Sequence, residues 1–143
     1  MMGDRYKEAE MAGGKRKDKN DIMQRIERER GFIPGEWAYI AEKDPDFWDT
    51  YNTLYEKALT DGKELPAKTK ELIVIGIMAY KNFEVGVCKH AERALRLGAT
   101  RQELLEAVET IVIPGGSPAL RAGIAGLMMM EEKERNAAKK KKP

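Results

Sequence analysis

The sequence predicts an all-α protein, and three observations carry that expectation. Charged residues make up 35% of the 143 and aromatics 7%. That balance of abundant Lys, Arg and Glu with few strand-favouring residues points to helices. Apolar residues recur at three- and four-residue steps, the period of a helix with one buried face. Helix-start signals stand ahead of those stretches: Asp44-Pro45, Thr100 with Glu103, and Ser117-Pro118.

The elements follow in order. Residues 1–20 carry many charges, two adjacent glycines and few apolar side chains, and read as a disordered or loosely helical segment. Asp21 can cap a short helix through Arg30, with Gly31 as its stop. Phe32, Ile33 and Pro34 make a turn, and Glu36 to Glu42 a short helical segment. Asp44 caps and Pro45 opens the next helix. Phe47, Trp48, Tyr51, Leu54, Tyr55 and Ala58 form its apolar stripe, read as core or subunit interface, and Asp61-Gly62 closes it. Pro66 opens a helix whose stretch from Leu72 to Tyr80 is apolar on every side. Such a helix needs cover all round, and a chain of this length is too small to supply it. A homo-oligomer is therefore expected on physical grounds.

Asn82 or Phe83 breaks that helix, and the next, Glu84 to Leu97, ends at Gly98. Thr100 with Glu103 is a capping box for a helix expected to reach Ile113, with Pro114-Gly115-Gly116 as its end. After Ser117-Pro118 the last helix carries Ala119, Ala122, Gly123 and Gly126, which let a neighbouring helix approach closely, and Met128 to Met130 extend its apolar surface. The single helical domain is expected over residues 21–134, with a basic tail over 135–143.

Several function classes are disfavoured. The net charge of +2 does not argue for nucleic acid. The basic runs Lys15 to Lys19 and Lys139 to Lys142 lie outside the apolar pattern and read as solvated tails. No apolar run approaches a membrane span, and the first 20 residues do not resemble a signal peptide. A cytoplasmic protein is the expectation. One cysteine, Cys88, excludes an intrachain disulfide; one histidine, His90, excludes a His₂ metal cage within one chain and leaves one imidazole for acid–base work. Neither a metal nor a cofactor is expected.

The chemistry concentrates on the Glu84 to Leu97 segment. Phe83, Gly86 and His90 stand at i, i+3 and i+7 and share one helix face. Cys88 is two residues from His90, roughly 200° around the helix, and so faces elsewhere with Val85, Glu92 and Leu95. A buried structural cysteine is its plain reading. A carboxylate one turn away, Glu84, would raise a thiol pKa and so work against a reactive Cys88.

Starting at Glu71, eleven residues lead to Phe83, then Gly86 and His90 at the spacing C-x-x-C-x-x-x-H. Ala94-Leu95-Arg96-Leu97-Gly98-Ala99-Thr100 and Gly115-Gly116-Ser117-Pro118-Ala119-Leu120 follow. Over about residues 66–130 this pattern resembles the alkylhydroperoxidase D / carboxymuconolactone decarboxylase superfamily. The resemblance implies an alkylhydroperoxidase D-like helical bundle, assembled as a trimer or hexamer. It implies a proton relay through Glu71 and His90. The two thiols of the redox branch are replaced here by Phe83 and Gly86, so the dithiol peroxidase cycle is not available.

Three functions are expected from these residues. The first is a lyase resembling the decarboxylase branch, in which Glu71 and His90 move a proton on a small organic acid or lactone. Phe83 and Gly86 would line its pocket, and Arg93 or Arg121 would hold an anionic substrate. The second is a single-cysteine peroxide or thiol oxidoreductase through Cys88, a peroxiredoxin-type activity. The third is a non-enzymatic oligomer that binds a ligand or partner. The plain readings are a helix-dipole carboxylate for Glu71 and a satisfied histidine for His90.

Overall fold

The computed structural model describes residues 35–140 together with Gln24, Glu27 and Arg28, which are helical. The segment expected to be loosely ordered over 1–20, most of the helix expected from Asp21 to Arg30, and the turn at Phe32 to Pro34 lie outside the described residues. Everything described is helix or short connection, with no strand among the described residues. Six helices have both ends among the described residues: α1 (Gly35–Lys43), α2 (Pro45–Leu59), α3 (Ala67–Tyr80), α4 (Glu84–Arg96), α5 (Arg101–Thr110) and α6 (Val112–Lys140).

The chain divides into two compact units, through Thr53 and from Leu54 onward, with the boundary inside α2. In the first, the Asp44 carboxylate accepts the Phe47 N–H at 3.0 Å, the cap expected ahead of Pro45. Trp48 is buried with Ala41 and packs against Trp37 and Tyr51. The three rings lie with centroids 5.1 to 5.8 Å apart. The apolar stripe expected on α2 is narrower than its composition suggested: Phe47, Leu54 and Ala58 are exposed, while Trp48 and Leu59 are buried.

The second unit holds the main core, built from α3, α4, α5 and α6. Ile75, Ala79, Val87, Cys88, Ala91, Ala94, Ala99, Leu104, Val108 and Met130 are its buried members. Asp61 caps the start of α3 by accepting the Ala67 N–H at 2.8 Å. Asn82 (φ 55°) turns the chain between α3 and α4, as the expected break required. Gly98 (φ 88°) ends α4 in the left-handed region that a residue with a Cβ rarely enters. The capping box is complete: Glu103 N–H donates to the Thr100 hydroxyl and Thr100 N–H to the Glu103 carboxylate.

Two helix boundaries differ from the expectation. α5 ends at Thr110 rather than Ile113, and a further turn runs from Val112 to the break at Gly116 (φ 66°, ψ −169°). Pro114 has no N–H to give the Thr110 carbonyl, so the ladder cannot continue through it. α6 then runs to Lys140, ten residues past Met130. Beyond Met130 all its residues are exposed. Good helix formers and ion pairs from Arg101 to Glu131 and Glu134 support it there.

The small residues of α6 set how closely its neighbours approach. A Cβ on Gly126 would lie 2.5 Å from Val87 Cβ and 2.7 Å from the Glu84 carbonyl oxygen. One on Gly123 would collide with Val108. α4 and α5 therefore rest almost on the α6 backbone, which fixes where α4 presents its polar side chains. On α3 the apolar stretch is covered on only part of its circumference: Ile73, Ile77 and Tyr80 are exposed.

Candidate functional site

Glu71 sits on the fifth residue of α3, and its side chain is fully buried. It lies past the first turn, so the helix dipole does not account for it. A buried carboxylate needs compensation from its neighbours. Two residues of α4 supply it. His90 and Arg93 stand three apart and share a face. The His90 Nδ1 is 2.7 Å from Glu71 Oε2. The Arg93 Nη1 is 3.1 Å from Glu71 Oε1.

The second contact is ionic rather than a directed hydrogen bond. The Arg93 Nη1 donates to the Tyr55 hydroxyl of α2 at 3.2 Å. Its guanidinium carbon stands 5.5 Å from the Tyr55 ring centroid, a cation–π distance. Glu71 Oε1 consequently has no aligned donor among the described residues. The side chains of His90 and Arg93 are 16% and 12% exposed, against 0% for Glu71. An outside molecule can thus reach the histidine and arginine but not the carboxylate. With Nδ1 turned to Glu71, the ring edge left for such a molecule is Nε2.

The opposite side of α4 carries a different cluster. Cys88 is buried, with Sγ 3.9 Å from Glu92 Oε1. Glu92 is paired with Lys133 of α6. Burial pushes the Cys88 thiol up, and the Glu92 charge adds to it, while Lys133 and Lys89 pull the other way. The net result is a neutral thiol in neutral solution, a poor nucleophile. The nearby carboxylate is Glu92, one turn after the cysteine, rather than Glu84, one turn before. Burial also lowers the Lys89 ammonium, with Lys133 beside it as a further cause.

The structure brings Glu71, His90 and Arg93 together and leaves the other candidate residues apart from that contact. Phe83 is half-exposed at the start of α4, and its ring lies over Gly86. A Cβ there would meet the ring at 2.5 Å and Met78 Sδ at 3.0 Å. Arg121 is exposed and lines a groove of about 620 Å³ with Asn82, Glu84, Ser117 and Met128. None of Glu71, His90 and Arg93 belongs to that groove. Tyr55 was expected only as an apolar stripe residue; nothing in its spacing on α2 points to an arginine 38 residues away. No group of three metal-ligating side chains converges among the described residues. No helix among them is long and apolar enough to cross a membrane.

Comparison with known proteins agrees with this architecture. Residues 45–127 match the model of the carboxymuconolactone decarboxylase family. An uncharacterized protein of Methanocaldococcus jannaschii is 36% identical over 81 residues, covering 56% of this chain and 77% of that protein. One from Cupriavidus necator is 39% identical over 86 residues, covering 60% and 75%. The crystal structure of a candidate carboxymuconolactone decarboxylase from Burkholderia xenovorans superposes with a TM-score of 0.71 at 27% identity. It covers 87% of this chain and 99% of its own. An apo carboxymuconolactone decarboxylase family protein of Legionella pneumophila gives 0.63 at 29% identity, covering 80% and 95%.

Proposed function

Because the chain belongs to the carboxymuconolactone decarboxylase family, we propose that it is an enzyme moving a proton, without a cofactor, on a small organic acid or lactone through Glu71 and His90. The observation that carries this reading is the 2.7 Å contact between a fully buried carboxylate and the one imidazole of the chain. Glu71 accepts the Nδ1–H, orients the ring and stabilises the imidazolium formed when Nε2 takes a proton. In a decarboxylation Nε2 takes the proton of the substrate's carboxyl group, the bond from that group to the neighbouring carbon breaks, carbon dioxide leaves, and the electron pair enters the adjacent carbonyl as an enolate. The imidazolium then returns its proton to carbon. The apolar surroundings of α3 and α4 strengthen each of these charge interactions.

The test is turnover of a panel of lactone and β-keto acids by the native protein and by Glu71→Gln and His90→Ala. Both substitutions are expected to reduce turnover by about 10²–10⁴-fold, the usual contribution of general acid–base catalysis. Unchanged turnover in both removes the reading.

The redox alternative through Cys88 is disfavoured by the buried, neutral thiol. We also propose that the chain forms a homo-oligomer. The exposed Ile73, Ile77 and Tyr80 on a helix otherwise in the core support it. Light scattering on the purified protein decides the point: a monomer at micromolar concentration excludes it.

A further inference from the structure

A proton shared between an imidazole and a carboxylate can sit in two ways, with opposite consequences for a substrate. If Glu71 is the acceptor, Nδ1 carries the hydrogen and Nε2 presents a lone pair, which makes the outer edge of His90 a base. If Glu71 carries the proton, its O–H donates to Nδ1, and Nε2 presents an N–H. The second arrangement holds one more proton and leaves the pair without charge. A carboxylate at 0% exposure is costly without a counter-charge.

The counter-charge is Arg93, at 3.1 Å from Oε1 and itself nearly buried. Among the described residues, His90 and Arg93 from α4 face Glu71, with the Tyr55 hydroxyl from α2 behind the arginine. The geometry points to Arg93 as the positioning residue that sets the direction of the relay: its charge holds Glu71 as the acceptor, so that His90 offers Nε2 outward as a base. Tyr55 keeps the guanidinium parked through its hydroxyl and ring face. That engagement takes Arg93 out of the role of clamp for a substrate anion. The inference rests on the Glu71–His90 relay reading, but its readout does not need an active enzyme.

His90 is the one histidine of the chain, so long-range ¹H–¹⁵N correlation spectra of the full-length protein report its ring nitrogens without overlap. At a pH where the ring is neutral, the native protein is expected to show Nδ1 protonated and Nε2 unprotonated. Arg93→Met is expected to exchange the two, giving Nε2–H. Arg93→Lys, which keeps the charge, should restore the native pattern. An Nε2–H histidine in the native protein overturns the inference outright, whether or not the variants fold. So does a native pattern in folded Arg93→Met. If the exchange occurs but no acid on the panel is turned over, the relay direction stands and the enzyme reading falls. Turnover with unchanged nitrogens does the reverse.

Discussion

The two sides of α4 carry similar inventories and different chemistry. One side joins His90 and Arg93 to the carboxylate of Glu71; the other joins Cys88 and Lys89 to the carboxylate of Glu92 and the ammonium of Lys133. Each pairs an acid with bases and a titratable group. The difference lies in which member is buried. On the first side the carboxylate is at 0% exposure and the imidazole reaches the outside. On the second the thiol is buried while Glu92 and Lys133 are 22% and 48% exposed. A group that must meet a substrate needs an open edge and a fixed partner behind it. His90 has both; Cys88 has its partners toward solvent and its reactive atom inside.

That contrast is sharpest in activity. His90→Ala is expected to lose about two to four orders of magnitude of turnover on any acid the protein processes. Cys88→Ala should stay close to the native rate. Peroxide consumption that disappears in Cys88→Ala, with His90→Ala unaffected, would reverse the assignment of the two sides.

Stability should differ in the same sense. Arg93→Ala leaves a buried carboxylate without its counter-charge and is expected to cost about 3–5 kcal/mol in urea unfolding. Lys133→Ala breaks a largely solvated pair and should cost about 1 kcal/mol or less. Equal losses would show that both pairs are screened alike.

A smaller effect separates two glycines that α4 touches or contains. Gly126→Ala pushes a methyl against Val87 and the Glu84 carbonyl, where backbone must move, and is expected to cost about 1–3 kcal/mol. At Gly86 the obstructing atoms belong mainly to the half-exposed Phe83 ring, which can swing away. Gly86→Ala should therefore cost clearly less, as read by thermal unfolding.

The smallest effect is the pH response of the thiol. Cys88 is raised in the folded state, first by burial and then by Glu92. Between the unfolded and folded values the native state binds the extra proton. Stability from this group is therefore full below about pH 8.5, the ordinary thiol value, and declines as pH rises through the folded value. Unfolding at pH 8 and pH 10 should show that decline, and Cys88→Ala should remove it. Iodoacetamide should label the folded protein slowly at neutral pH and the unfolded protein readily.

Much of the molecule is legible in the residues themselves. Asp44-Pro45, the Thr100–Glu103 box, Asn82 and Gly98 act through bonds and dihedrals within a few residues, so their positions in the chain suffice to place them. The opposed directions of Cys88 and His90 follow from helical period alone. α5 stops short of Ile113 because Pro114 acts on a carbonyl four residues back, not where it stands. The length of α6 is not legible in the apolar pattern, because its final ten residues bury nothing.

Residue order alone dictates the helices, most of their limits, and the presentation of His90 and Arg93 on a common face, since a helix repeats the same local geometry along its length. What that face meets is a matter of packing between helices. The crossing of α3 and α4 buries Glu71 against it, and α2 brings Tyr55 to the guanidinium from 38 residues away. Local dihedral preferences carry no information about that meeting. It depends on how closely whole helices pack, which at α4 is set by the missing side chain of Gly126.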